Sequence, residues 1–225
     1  MENSKTKLMK NLTFAMFLFI FTQTQSQNLQ VMYDFGEGRK NITSTLEMFK
    51  PDNWGDTFFF VDMEFNGGLD KQPSLAYMEI ARCLKFWNGP LSFQIEYNGG
   101  LIHTPGFSIA INNTYLSGID YAWHDKDFNK SLNFKVLYKN IQGVDPVSFQ
   151  LTGVWCLNYL NNKITISGFA DFWKENATYI FLSEPQFWYN ISSNLSFGCE
   201  IEICSHFGGI KDWNVYPAIG AKWNF

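Results

Sequence analysis

The chain has little charge. Asp, Glu, Lys and Arg make up 17% of its 225 residues, below the quarter usual in soluble domains. It also lacks any apolar run of the ~20 residues that a spanning helix needs. Histidine and cysteine are scarce, at three and four residues. Cys199 and Cys204 are too far apart to bridge if both lie in one extended strand. Cys83 and Cys156 fall near expected strand ends, and no spacing is of the metal-binding kind. The thiols are read as free, although an exported compartment would permit a disulfide. No metal or other cofactor is expected. A net charge of −4 leaves no basic surface for nucleic acid. No internal repeat, low-complexity run or linker divides the chain.

Aromatic residues, by contrast, are abundant: 23 Phe, 10 Tyr and 8 Trp. A charge-poor, aromatic-rich chain without a helical span fits a membrane barrel with aromatic girdles. The last residues agree. Val215, Pro217, Ile219, Ala221, Trp223 and Phe225 share one face, and Asn214, Tyr216, Ala218, Gly220, Lys222 and Asn224 the other. A period-two strand ending on phenylalanine is the expected close of a bacterial outer-membrane barrel. At the other end, Lys5, Lys7 and Lys10 precede the apolar run 12–21, with small residues Thr24 and Ser26 following. This reads as a signal peptide over 1–26, with cleavage before Gln27 and one barrel domain over 27–225. The expected location is the outer membrane of a Gram-negative bacterium.

Alternating segments recur at 29–35, 42–49, 56–65, 74–84, 91–97, 107–122, 131–139, 147–157, 163–173, 178–189, 195–204 and 214–225. The fold class is therefore all-β, a transmembrane antiparallel β-barrel of about twelve strands, with both termini periplasmic. Connectors 51–54, 86–89, 124–130, 159–162 and 190–194 become periplasmic turns. Connectors 36–41, 66–73, 98–106, 140–146, 174–177 and 205–212 become short outer loops.

Charges fix the faces, because lipid accepts them poorly. In the third segment Phe58, Phe60, Asp62 and Glu64 turn to the lumen, and Phe59, Val61, Met63 and Phe65 to lipid. The same parity turns Asp34, Glu47, Glu79, Glu96, Asp171, Glu184, Glu200 and Glu202 inward. The inward bases are Lys135, Lys139, Lys163 and Lys222; Phe49, Trp173, Trp188 and Tyr216 are further inward aromatics. Segment 107–122 has no single parity, since Asn112 and Asn113 fall on opposite faces, and Arg82 opposes Glu79 and belongs at the membrane edge. Rings offer a π-face and carboxylates accept N–H and O–H donors. Phe58, Phe60, Asp62, Glu64, Glu79, Glu96, Lys135, Glu184, Trp188, Glu200 and Glu202 are thus the expected substrate-binding residues for a planar polar solute.

Stretches 31–36, 57–65, 77–80, 91–93 and 220–225, with Met78-Glu79-Ile80 the most distinctive, resemble the Tsx-like family of nucleoside-specific outer-membrane channels. The similarity runs through the mature chain, nearest to an uncharacterised branch. It implies a monomeric twelve-stranded channel for nucleosides, inserted by the barrel-assembly machinery that reads the terminal aromatic. This chain is shorter, with trimmed loops, so no individual nucleoside contact is carried over.

Four alternatives remain open on the sequence. A barrel filled by its own side chains would conduct nothing. A lipid-modifying barrel enzyme would need a nucleophile and base together; His103, His124 and His206 all fall in connectors, with Ser108 and Ser205 near two of them, and no Gly-x-Ser-x-Gly elbow is present. A secreted β-sandwich or lipocalin-like fold would use the same alternation with the faces reversed. An adhesive barrel would want longer outer loops.

Overall fold

The structure, a computed structural model, describes residues 26–66 and 72–225. The expected signal segment lies outside the described residues, apart from Ser26, which opens the first strand. Thirteen strands form one closed antiparallel sheet: β1 (Ser26–Asp34), β2 (Asn41–Asp52), β3 (Gly55–Asn66), β4 (Leu75–Leu84), β5 (Leu91–Thr104), β6 (Phe107–His124), β7 (Lys130–Ile141), β8 (Ser148–Tyr159), β9 (Ile164–Glu175), β10 (Thr178–Ser183), β11 (Gln186–Asn190), β12 (Leu195–Ser205) and β13 (Trp213–Asn224). β10 and β11 are two halves of one staved position. Both pair with β9 and β12, and the break falls at Glu184 and Pro185, where proline supplies no N–H to the ladder. Thirteen strands thus occupy twelve barrel positions. Closure is by β1 on β13, from Asn28 opposite Asn224 to Asp34 opposite Ala218, and the Phe225 N–H reaches the Gln27 carbonyl at 3.0 Å. In lipid an open edge would leave each unpaired backbone group costing several kcal/mol.

The outer surface is apolar. Val31, Tyr33, Phe134, Tyr138, Ile219 and Trp223 are all exposed, Phe134 at 53% and Ile219 at 56%. Their neighbours in sequence are Gln30, Met32, Asp34, Leu137 and Ala218, which are buried. The fold is inside-out relative to a β-sandwich, with a continuous band suited to a bilayer. No described helix is long and apolar enough to cross a membrane. The outward charges gather at a rim. Arg82 makes a bidentate pair with Asp52 at 2.7 and 2.8 Å and bonds Thr57 at 3.0 Å. Trp54, Phe86 and Trp87 lie along the same end in ring contact. That end carries the termini and is periplasmic in barrels of this class.

Two expectations are corrected, and the mixed parity of segment 107–122 finds its cause. Residues 98–104 are not loop: they continue β5, which pairs with β6 as far as Thr104 opposite Phe107. The β5–β6 register slips between Asn98 and Gly100. This bulge inserts an extra residue into β6, so Asn112 and Asn113 break parity. Because β7 ends opposite Thr114, residues 107–113 of β6 rise above it as a protruding hairpin. Finally, Lys163 is exposed in the β8–β9 turn rather than in the lumen.

Candidate functional site

The lumen has two unlike walls. One is built from β8, β9, β11, β12, β13 and β1. Its centre is Trp188, 0% exposed, packed on Met32 and Ala218. Glycines ease the packing beside it: a Cβ on Gly198 would fall 2.6 Å from the Trp188 ring, and Gly220, opposite Gly198, leaves room for Met32. The indole N–H donates to Gln186 Oε1 at 2.9 Å. Gln186 Nε2 donates to Glu200 at 2.6 Å and to Gln30 of β1 at 3.2 Å. Gln30 continues to Asn28 at 3.0 Å, and Asn28 to Glu47 at 2.9 Å. A belt of side-chain hydrogen bonds therefore runs from β11 across β12, β13 and β1 to β2.

Three basic residues of the lumen are held on rings. Lys222 Nζ lies 4.2 Å from the Trp188 ring centre. Lys139 Nζ lies 4.2 Å from that of Trp173 and donates to Gln150 at 2.6 Å. Arg39, from the β1–β2 connection, lies 3.7 Å above Tyr216. It bonds Glu202 through both guanidinium ends at 2.7 and 2.8 Å, and Asp34 at 3.2 Å. Burial works against the Arg39 charge, but its bonds to Glu202 and Asp34 outweigh this and its pKa is raised. Lys135 stands opposite Asp120, within electrostatic reach of Asp56 and Asp171.

The other wall is β2 to β5, and its rings carry no cation among the described residues. Phe58, Phe60 and Tyr77 form a ladder with centroids 6.1 and 6.0 Å apart, and all three are partly exposed. Carboxylates flank the ladder. Glu79 accepts from Tyr77 Oη at 2.6 Å and from Asn98 Nδ2 at 3.0 Å. Glu96 accepts from Gln94 at 2.6 Å. Glu64 accepts from Asn41 at 3.0 Å. Oδ1 of Asp62 and the amide oxygens of Asn41 and Asn98 are buried without a hydrogen-bond partner. Across the lumen, Glu184 sits at the β10–β11 break, in electrostatic reach of Glu200, Asp62, Glu202 and Glu79.

Of the residues expected from sequence, Phe58, Phe60, Asp62, Glu64, Glu79 and Glu96 come together on this second wall. Glu184, Glu200 and Glu202 face them, and Lys135 stands apart beside Asp120. Trp188 is corrected: it is sealed under Lys222 and offers no surface to a solute, and Trp173 and Tyr216 are covered likewise. Tyr77, Asn41, Asn98 and Arg39 were missed. Tyr77 lies two residues before the inward Glu79, so parity carried a signal for it, but Arg39 had none, because it enters the barrel from a loop.

The histidines do not build a triad. His103 Nδ1 and Ser108 Oγ are 2.9 Å apart on the protruding hairpin, and Ser205 Oγ and His206 Nδ1 3.0 Å apart in adjacent residues. No carboxylate hydrogen-bonds either ring among the described residues. No cluster of three or more His, Cys, Asp or Glu is arranged to hold a metal ion among them either, and all four cysteines are free. A groove of about 540 Å³ crosses the outside of β4 to β7 between Ile80, Arg82, Ile95, Tyr97, Tyr115 and Tyr138. These side chains face away from the lumen, so the groove is a lipid contact.

Among solved structures, the chain is similar to the KdgM porin at 15% identity, covering 89% of this chain and 99% of that one with a TM-score of 0.53. A structure of the KdgM porin in complex with disordered oligogalacturonate matches at 15% identity, 89% and 99% coverage and a TM-score of 0.52. The NanC porin matches at 9% identity, 88% and 100% coverage and a TM-score of 0.60. These likenesses establish the outer-membrane porin type of barrel as the fold. No curated protein matches the chain. A family model matches residues 26–225, and the chain belongs to that family, the Domain of unknown function (DUF5020).

Proposed function

We propose that this barrel is a passive outer-membrane channel for small polar solutes, with a preference for cations and for solutes rich in N–H donors, nucleosides among them. One observation carries the reading: on the β2–β5 wall an accessible ladder of Phe58, Phe60 and Tyr77 runs beside Asp62, Glu79 and Glu96. A planar solute can lay its face on the rings and donate to the carboxylates. Arg39, Lys139 and Lys222 are engaged on rings and Lys135 stands opposite Asp120, so the field left to a passing solute is acidic, which attracts cations. An oligogalacturonate, the ligand of one KdgM structure, carries a carboxylate on each sugar and would be repelled here. The protein acts as a monomer, since each barrel holds a whole lumen, and is inserted by the barrel-assembly machinery after loss of residues 1–26.

A second reading has an observation in its favour. The belt through Gln186, Gln30 and Asn28 fills one side of the lumen, and a barrel so filled could serve as a non-conducting structural protein. Liposome swelling separates the two. Entry of uridine and adenosine faster than of oligogalacturonate supports the channel. No swelling with any solute, from barrels that show heat-modifiable migration, would overturn it.

A further inference from the structure

The β3–β4 face repeats a pattern that the rest of the lumen uses on its own residues. Arg39 lies on Tyr216 beside Asp34 and Glu202, and Lys139 lies on Trp173 with Asp171 in electrostatic reach. A ring and a carboxylate together hold each cation. On β3 and β4 the register sets Asp62 opposite Tyr77 and Phe60 opposite Glu79. Two rings occupy one diagonal of this four-residue patch and two carboxylates the other. No lysine or arginine lies over these rings among the described residues.

Two buried acceptors mark the ends of the patch. Oδ1 of Asp62 has no hydrogen-bond partner, and neither has Oδ1 of Asn98, which stands opposite Glu79 and is 5% exposed. A buried acceptor left unmade costs about 1–3 kcal/mol, so both oxygens call for a donor. Thr45 and Gly100 flank the Asp62–Tyr77 pair, and a Cβ on Gly100 would fall 2.9 Å from the Tyr77 Cα, so glycine lets β5 lie close against β4 there. The donors around the patch are already spent: the Tyr77 hydroxyl and the Asn98 amide on Glu79, and the Thr45 hydroxyl on Asp62, whose Oδ1 still lacks a partner.

We infer that this face binds an organic diammonium ion, one ammonium at Asp62 and the other between Glu79 and Asn98, with the alkyl chain lying over Phe60 and Tyr77. A metal ion would need its ligands to converge within 2.0–2.6 Å or so, and diagonal neighbours on a sheet stand roughly 7–8 Å apart. That spacing instead suits two positive groups joined by a short apolar chain. An ammonium brings three N–H donors and no acceptor, which matches two unpartnered oxygens and two carboxylates. Rings beneath the methylenes and beside the charges add contact and cation–π attraction. The inference deepens the channel reading and rests on it only in requiring that β3 and β4 face water.

Titration calorimetry on the refolded full chain in detergent tests the site without requiring conductance. The ligands are cadaverine, pentylamine and pentanediol. Cadaverine should bind saturably, on the order of tenfold tighter than pentylamine, and the diol should not bind. Asp62→Asn and Glu79→Gln should each weaken cadaverine by about tenfold, the scale of one charge-assisted bond. Phe60→Leu, which keeps the volume, should weaken it less. Glu175→Gln, at the far end of β9, should leave it unchanged. Equal affinity for cadaverine and pentylamine, or an Asp62→Asn protein that still migrates as a folded barrel and binds as the parent does, would overturn the site. Bilayer recording on the same samples keeps the two readings apart: diamine binding without conductance sinks the channel and leaves the site, and conductance without diamine binding sinks the site alone.

Discussion

The walls around Trp188 and around Phe60 are made of the same residue types and do different things. Both carry aromatic rings, carboxylates and amides on inward positions. Around Trp188 the rings are covered by the protein's own cations and the amides are joined into a belt, with the Trp173 indole N–H the one buried group there without a partner among the described residues. Around Phe60 the rings touch only each other and Tyr77, and two amide oxygens and one carboxylate oxygen have no partner. The first wall is a packed core turned into the lumen. The second is a surface. The lesson is that inward orientation does not make a pore lining; what counts is whether the register has already supplied a partner.

The strongest way to break this comparison is to truncate each wall in turn. Trp188→Ala removes a fully buried indole and its hydrogen bond, and should cost about 3–5 kcal/mol, read as the shift in urea unfolding of vesicle-inserted protein. Phe60→Ala should cost no more than about 1 kcal/mol and should raise single-channel conductance instead. Equal destabilisation by the two would erase the distinction between core and surface. Next in size is Gly198→Ala. Its methyl would fall against the Phe187 carbonyl and the Trp188 ring, and overpacking of this kind costs about 1–3 kcal/mol; a neutral effect would mean that β11 and Trp188 give way freely and the wall is not packed. The smallest effect belongs outside the lumen altogether. Arg82→Gln loses a pair at the periplasmic rim and should leave ion selectivity unchanged. A changed selectivity would put Arg82 on the wrong face in the present account.

Much of the fold was legible because lipid enforces alternation. One charged residue per strand, such as Asp62 on β3 or Glu200 on β12, settles the direction of every side chain on that strand. The strand number followed from the same pattern. What parity could not give was pairing across strands. That Lys222 would cover Trp188, or Lys139 cover Trp173, depends on registers several strands away, and no local signal in β11 or β13 reports it. Trp188 was therefore expected to meet solute and instead is core. The bulge at Asn112 and Asn113 was visible only as a contradiction of parity. Loop 98–106 was misjudged because Gly99, Gly100, Pro105 and Gly106 look like a turn cluster, whereas only 105–106 turns. The break at Glu184 and Pro185 kept parity on both sides, so the strand looked whole.

The charge of the permeation path decides what this barrel passes. The most direct measurement is the reversal potential of the reconstituted barrel in a planar bilayer under a potassium chloride gradient. The acidic β2–β5 wall and the self-engaged bases predict a clear preference for potassium, reduced by Asp62→Asn with Glu64→Gln. A preference for chloride, or one untouched by those two substitutions, would contradict it.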